Sequence, residues 1–285
     1  MRSTLQFGRF NYPWRGDRAR ARARVMGILN VTPDSFSDGG QHQSLEFAIS
    51  HAEQMILDGV DIIDVGGESS RPGAPPLPLE QELQRVMPVL YALRDIGPAI
   101  SVDTYKPQVM REAIIAGVDM INDINGFRAS GAIDAVRDSD CGLCIMHMQN
   151  DPQRMQLAPS YTDVVAEVIA FLRERIETLT AAGIDPRRLC IDPGFGFGKT
   201  VEHNYALLQA TGRLIAELDV PLLAGLSRKT MVGAVTGKPV EQRMAGSVGG
   251  ALAAVAQGAL IVRVHDVAET VDALKVWQAG INLQR

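Results

Sequence analysis

Eight short runs rich in Val, Ile, Leu and Met alternate with eight longer amphipathic segments, and this alternation restricts the fold more than any other feature. The runs lack the apolar–polar alternation of a sheet with one face in water, which is typical of strands buried on both faces. Alternating strands and helices indicate an α/β protein with a parallel sheet. The predicted strands span residues 25–31, 61–66, 99–103, 119–123, 143–148, 189–193, 221–226 and 260–264, and the predicted helices 44–58, 79–95, 107–116, 131–138, 161–182, 203–217, 241–257 and 267–279.

Eight such units without a break in composition favour a single (β/α)8 TIM barrel over the alternative, an open doubly wound sheet. A barrel typically needs about 250 residues, and the chain has 285. We therefore predict a short N-terminal extension over residues 1–24, with a hairpin at the barrel bottom and a basic loop, and a barrel domain over residues 25–285.

Composition narrows the class of partner. The net charge is −5 and the pI about 5.6, which argues against a nucleic-acid partner because phosphate backbones select basic surfaces. Since no apolar leader and no run of 18 apolar residues is present, neither secretion nor a membrane partner is expected, and we predict a cytoplasmic protein. The arginine run at 15–24 is interpreted as a solvated loop, with an RNA-binding arm or a transit sequence as alternatives.

The cysteine pattern resembles a metal or redox motif only superficially. Residues 141–144 spell C-x-x-C, but no second pair follows, and the motif opens an apolar run. Buried strand cysteines that pack as small hydrophobic residues are the favoured interpretation.

Polar residues stand at the ends of nearly all predicted strands, where the active sites of barrel enzymes lie. Charged groups at a barrel mouth are costly to desolvate unless a ligand compensates them. The sequence therefore predicts one shared polar pocket. Its candidate residues are Asn30, Arg71, Asp103, Asn122, His147, Asp192, Ser227, Lys229, Arg263 and His265.

The chemistry of these candidates divides into two halves. Asp103, Asn122 and Asp192 offer acceptors for a planar heterocycle with N–H donors along one edge. The other half, made of Asn30, Arg71, Arg263 and His265, suits a polyanion, with Mg²⁺ as the expected cofactor.

A glycine-rich segment at 193–200, PGFGFGKT, ends like a nucleotide P-loop but has proline where the first glycine is required. Nucleotide binding is therefore not expected. We predict instead that these glycines form a turn that holds Phe197 over a ligand ring.

Seven motifs in order along residues 25–279 make the chain resemble the dihydropteroate synthases, a family of pterin-binding enzymes. Ser70 replaces the threonine that is common in the family's second motif, which retains the hydroxyl group. The motifs are MGILNVTPDSFSDGG at 26–40, DVGGESSRPG at 64–73, SVDT at 101–104, IND at 121–123, DPGFGFGK at 192–199, SRK at 227–229 and RVHD at 263–266.

This resemblance implies that the barrel domain condenses (7,8-dihydropterin-6-yl)methyl diphosphate with 4-aminobenzoate and is a target of sulfonamides. It implies catalytic roles for Asp103, Lys229, Arg263 and His265. The pterin would contact Asp103, Asn122, Asp192 and Lys229. The diphosphate would contact Asn30, Arg71, Arg263 and His265, with Asn30 also binding the metal. The 4-aminobenzoate would contact Phe36, Ser70, Arg71, Pro72, Phe197, Ser227, Lys229 and Thr230.

Two rival functions are considered beside the synthase: a pterin-dependent methyltransferase domain and an inactive pterin-binding homologue. Lys229 and the Arg263-x-His265 pair argue against the methyltransferase, and the intact loop motifs at 30–43 and 66–78 argue against an inactive homologue. The resemblance further implies a homodimer.

Overall fold

The computed structural model describes residues 3–15, 22–31, 41–69, 73–150, 155 and 159–282, and only the backbone of residues 41–44 and 282. Eight parallel strands form a barrel surrounded by helices, so the predicted TIM barrel is confirmed. A two-stranded hairpin, β1 (Thr4–Phe7) and β2 (Phe10–Pro13), precedes it. The barrel strands are β3 (Arg24–Asn30), β4 (Ile62–Gly66), β5 (Ala99–Asp103), β6 (Met120–Asp123), β7 (Gly142–Met146), β8 (Leu189–Asp192), β9 (Leu223–Ala224) and β10 (Ile261–Val264).

The barrel is closed between β8 and β9 by few bonds. The strand order is β8-β7-β6-β5-β4-β3-β10-β9, and a parallel bridge joins Ile191 to Leu222. The Ile191 N–H donates to the carbonyl of Pro221 at 3.0 Å. The predicted strand at 221–226 is therefore too long: β9 covers only Leu223–Ala224, and Pro221, which has no N–H, cannot donate to a ladder at its start.

The helices follow the barrel strands and form from the amphipathic segments of the sequence. The long helix after β7, predicted over 161–182, begins at Val164, where the Asp163 carboxylate caps it by accepting from the N–H groups of Val165 and Ala166. The helices are α1 (Gln41–Leu57), α2 (Leu79–Leu93), α3 (Pro107–Ala116), α4 (Ala132–Val136), α5 (Val164–Ala181), α6 (Val201–Gln209), α7 (Thr211–Leu218), α8 (Thr230–Thr236), α9 (Met244–Ala256) and α10 (Val267–Asn282).

The prediction of one continuous helix over 203–217 is wrong. The segment breaks at Ala210 into α6 and α7. The Thr211 hydroxyl donates to the Leu207 carbonyl four residues earlier at 3.3 Å. Such back-bonding competes with the helical ladder and bends helices. The helix predicted over 241–257 begins later, at Met244.

The hairpin fills the bottom of the barrel. Leu5, Phe7 and Tyr12 join a buried cluster with inward-facing residues of all eight barrel strands and Leu260. Phe7 lies directly on Gly142, where an added Cβ would come within 1.8 Å of the phenyl ring. The glycine thus provides the space that the ring occupies.

Arginines at both ends of the basic run pair with acidic residues. Arg22 and Arg24 both contact Asp61, and Arg15 contacts Asp219. The expected solvated loop is therefore corrected at both ends, while residues 16–21 lie outside the described residues. The Arg15 and Arg22 pairs each have one partner about half exposed, and such exposed ion pairs stabilise weakly, by at most about 1 kcal/mol each.

The three cysteines are free and buried. Cys144 lies on β7 in the bottom cluster, and Cys141, directly before this strand, lies in the main hydrophobic core, which confirms that the cysteines of the C-x-x-C motif pack as small hydrophobic residues. None of the helices in the described part of the chain is long and apolar enough to cross a membrane.

Candidate active site

Strand register places three candidate residues and one glycine at the same level of the barrel mouth. Asn30 pairs with Gly66, Gly66 with Asp103, and Asp103 with Asn122. Each is at the carboxyl end of its strand or one residue before it, where the βα loops begin. Four neighbouring strands thus end at about the same level of the mouth.

Arg263 lies at the centre of a charged network. Its Nε donates to Oδ2 of Asp64 at 2.6 Å, and its Nη2 donates to Oδ2 of Asp103 at 3.0 Å. The Asn122 amide nitrogen donates to the same Asp64 oxygen at 3.2 Å. Because its nitrogen is used in this way, the amide oxygen of Asn122 is the group suited to accept from a ligand.

On the opposite side of the barrel mouth, three charged side chains surround Gly225. A Cβ built on this residue would lie 3.6 Å from Oδ2 of Asp192, 3.8 Å from Nζ of Lys229 and 3.9 Å from Cβ of Arg263. The three side chains therefore surround one small space. A methyl group at Gly225 would take part of it.

Lys229 lies against the glycine-rich turn. Its ammonium group donates to the Phe195 carbonyl and lies 4.7 Å from the centre of the Phe197 ring. Burial lowers the pKa of Lys229 to about 8, although Asp192 opposes this shift. The lysine therefore remains largely charged at pH 7.

Burial affects both carboxylates of the mouth. It raises the pKa of Asp103 to about 7, against the lowering effect of Arg263, and the carboxylates of Asp64 and Glu82 raise it further. Burial also raises the pKa of Asp192, whose Oδ1 accepts from the Gly194 N–H at 2.7 Å. Perturbed carboxylates in a cleft are typical of functional sites.

His265 has a defined hydrogen-bond partner. Its Nδ1 lies 3.0 Å from the Ser227 hydroxyl. Burial lowers the pKa of His265 to about 4, and the nearby cations Arg263 and Arg228 lower it further. The ring is therefore neutral at pH 7 and can donate one hydrogen bond, but it does not supply a positive charge.

The predicted metal ligand stands at the edge of the mouth. Asn30 is exposed at the end of β3, and its Oδ1 would lie 3.5 Å from a Cβ on Gly66. No group of three or more acidic, His or Cys side chains within the described ranges could hold a metal ion. This arrangement fits Mg²⁺, which binds through one or two protein oxygens together with substrate phosphates.

Four predicted residues, Phe36, Ser70, Arg71 and Pro72, lie outside the described residues. Thr230 is described as the exposed first residue of α8, directly after Lys229.

Sequence reasoning missed the role of Asp64. This fully buried side chain binds Arg263 and Asn122, while its Oδ1 has no hydrogen-bond partner within the described structure. An unpartnered buried oxygen is costly, so this atom is a natural acceptor for a ligand or water. A charged residue inside the apolar run Ile62-Ile63-Asp64-Val65 is the sequence feature that could have identified it.

A second cluster, also missed, links the base of the β4–α2 loop to the segment after β5. Lys106 contacts both Glu68 and Glu82. The Tyr105 hydroxyl donates to Glu68 at 2.9 Å, and the Thr104 hydroxyl donates to Glu82 at 2.6 Å. These contacts fix the start of the loop that carries Ser70, Arg71 and Pro72.

Known proteins are similar to this chain in sequence and in fold. The model of the pterin binding enzyme family matches residues 26–265. A dihydropteroate synthase from Neisseria meningitidis serogroup C is 49% identical over 267 residues, which cover 92% of this chain and 94% of that protein.

Two solved structures extend the comparison. A Burkholderia cenocepacia dihydropteroate synthase complexed with 7,8-dihydropteroate has a TM-score of 0.88 and 52% identity, covering 99% of both chains. A Yersinia pestis dihydropteroate synthase with a sulfonamide drug complex has a TM-score of 0.90 and 44% identity, covering 98% of this chain and 99% of that chain. The chain therefore belongs to the pterin binding enzymes, and within that family to the alkyl-transferring dihydropteroate synthases.

Proposed function

We propose that the network around Arg263 is the pterin site of this synthase. The observation that supports it most strongly is the meeting of Asp103, Asn122, Asp192 and Lys229 around Arg263 at one end of the barrel. The two carboxylates and the Asn122 oxygen are acceptors for the N–H donors of a pterin ring, and Lys229 is a donor for its oxygen.

The diphosphate would be bound on the Asn30 side of the mouth. Arg263 retains Nη1 for a phosphate oxygen after its other two nitrogens bind carboxylates. Neutral His265 would add a hydrogen bond, and Arg71 a further cation. Asn30 would hold Mg²⁺ through its amide oxygen, and the bound ion would neutralise charge that grows on the leaving diphosphate.

The 4-aminobenzoate would lie between the glycine-rich turn and the loops. Phe197 offers an apolar wall, and Lys229 and the start of α8 at Thr230 favour a carboxylate. Ser227 would complete this side. Phe36, Ser70, Arg71 and Pro72 would close the pocket from the two long loops.

The reaction would begin with cleavage of the bond between the pterin methylene carbon and a diphosphate oxygen, which retains the electron pair. The dihydropterin ring delocalises the positive charge left on the carbon, and ionised Asp103 stabilises that charge in the transition state. The amine of 4-aminobenzoate then attacks the carbon and loses its proton afterwards. Loops that exclude water would protect the cation from hydrolysis.

One incubation tests this function. Purified protein, Mg²⁺, dihydropterin diphosphate and labelled 4-aminobenzoate should yield labelled dihydropteroate and one equivalent of diphosphate. Consumption of the pterin substrate without labelled product would indicate hydrolysis and would contradict the proposal.

The activity should depend on pH through Asp103. If the ionised carboxylate is required, kcat/KM should fall about tenfold per unit below pH 7 and level off above it. Stability should change in the opposite direction: the raised pKa means that the folded state binds the proton more tightly, so this group's contribution is lost as pH rises from about 4 to 7. The residual activity of Asp103→Asn should lack this acidic limb. A limb that persists in the variant would assign the titration to another group.

Sulfonamides should compete with 4-aminobenzoate, because both carry an aniline ring with an acidic group opposite the amine and would occupy the same pocket. At a fixed drug concentration, raising the concentration of 4-aminobenzoate should relieve inhibition. The apparent KM for 4-aminobenzoate should rise and kcat should be unchanged. A reduction of kcat that excess 4-aminobenzoate does not reverse would place the drug elsewhere.

We also propose that the protein is a cytoplasmic homodimer assembled through its C-terminal helices. Exposed apolar side chains on this part of the chain support the proposal: Val235, Val240, Met244 and Val276. Light scattering on the purified protein should give twice the chain mass of 30.8 kDa.

A further inference from the structure

The glycine-rich turn at 194–198 lies tightly against the segment that follows β7. Gly194, Gly196 and Gly198 have φ values of 71°, 78° and 63°, which side chains rarely adopt. A Cβ on Gly194 would come within 1.8 Å of the His147 carbonyl oxygen, and one on Gly198 within 2.9 Å of Gln149. The turn therefore adopts a conformation and a close contact that only glycine allows.

Lys199 holds this turn from its buried side. Its side chain is 3% exposed, and its Nζ lies 2.9 Å from Nδ1 of His147, 2.9 Å from the Gly194 carbonyl and 3.0 Å from the Phe197 carbonyl. The three donors of an ammonium group thus meet three acceptors. The His147 ring can accept at Nδ1 only when neutral, with its proton on Nε2. Burial, together with Lys199 and Arg128, lowers the pKa of His147 to about 2, which keeps the ring neutral.

The opposite side of the same turn contacts the active-site lysine. The Phe195 carbonyl accepts from Lys229, whose ammonium group also lies over the Phe197 ring. The turn is therefore bound by two lysines, Lys199 on its buried side and Lys229 on the side of the barrel mouth. Burial lowers the pKa of Lys199 to about 7, against the raising effect of Asp192.

We propose that Lys199 and His147 are a positioning pair that fixes the turn so that Phe197 and the Phe195 carbonyl are placed for 4-aminobenzoate and Lys229. This inference rests on the aminobenzoate role of Phe197 under the proposed function. Both side chains of the pair are buried, so we assign neither a contact with substrate. Their effect passes through the backbone of the turn, because two of the three acceptors of Lys199 are carbonyls of that turn.

A double-mutant cycle tests the inference. Lys199→Met should raise the KM for 4-aminobenzoate about 10- to 100-fold, the scale for misplacing a binding group by about 1 Å. In a Phe197→Ala background the same substitution should raise KM less than about 3-fold, because residues that act as a unit are not additive. A merely structural role would lower thermal stability in both backgrounds and leave KM unchanged.

Arg188→Met is the matched control. Arg188 is also buried and donates to backbone carbonyls, those of Val136, Arg137 and Cys141, at the other end of the barrel. Its loss should lower stability without changing KM. Equal KM increases for Lys199→Met in both backgrounds, or no increase in either, would overturn the inference. An unchanged KM in Phe197→Ala alone would remove the aminobenzoate role of Phe197, and the inference with it.

Two variants of His147 test the pair without removing the lysine. His147→Asn retains an oxygen acceptor near the position of Nδ1, whereas His147→Leu removes it. The inference requires a KM increase of about 5-fold or more for the leucine variant and less than about 2-fold for the asparagine variant, the range of one buried hydrogen bond. Equal KM values for the two variants would overturn it.

Discussion

Replacing Asp103 by Asn should lower kcat about 100- to 1000-fold, the usual cost of one lost electrostatic contact to a transition state. The amide retains the shape of the side chain but removes the charge that would face the methylene cation. Because Asp103 is mostly buried and already bound to Arg263, its field acts in a medium that screens it weakly. Single-turnover measurements with saturating substrates would report the chemical step directly.

Asp119→Asn is the matched control for this prediction. Asp119 is a buried aspartate bound by Arg9 at the opposite end of the barrel. Its amide variant should lose stability and retain kcat. An Asp103→Asn enzyme with the kcat of the parent would exclude Asp103 from cation stabilisation.

Phe7→Ala should lower the free energy of unfolding by about 3–5 kcal/mol, the range for truncating a fully buried phenylalanine. The ring fills the barrel bottom against Gly142, and the cavity left behind is bounded by strands that cannot collapse without losing their ladder. Urea unfolding followed by far-UV circular dichroism would measure the change. Because the site lies at the other end of the barrel, kcat/KM of the folded fraction should be retained.

Two further variants sharpen this prediction. Phe10→Ala removes the same side chain from a partly buried position of the same hairpin and should cost less. Gly142→Ala should destabilise the parent by about 1–3 kcal/mol through overpacking, but should cost far less in the Phe7→Ala background, where the added methyl group has room. A Phe7→Ala loss below about 1 kcal/mol would show that the hairpin does not support the barrel.

The agreement between the elements predicted from the sequence and those in the structure differs from element to element. The order of strands and helices and the residues at the mouth were predictable, because they follow from local patterns and from the rule that parallel strands end at one rim. The break at Ala210 and the short β9 were not, since each depends on one side-chain or proline effect within an otherwise regular pattern.

The contacts of the charged network around Arg263 could not be predicted from local sequence patterns either. Arg263 and Asp64 are 199 residues apart, and their contact depends on strand register and barrel tilt rather than on neighbouring residues. The same holds for Lys199 and His147, which the sequence presents only as the end of a failed P-loop and a polar strand residue.

The sequence by itself determined the order of strands and helices, favoured a barrel over an open sheet, and placed most of the candidate side chains at the carboxyl ends of the strands. The tertiary structure alone decided which of these side chains bind each other: Arg263 with Asp64 and Asp103, Lys229 with the Phe195 carbonyl, and Lys199 with His147. The physical reason is the separation along the chain over which each signal acts. Periodicity reports the burial of each segment, whereas a hydrogen bond or ion pair requires atoms from distant segments to meet within about 3 Å.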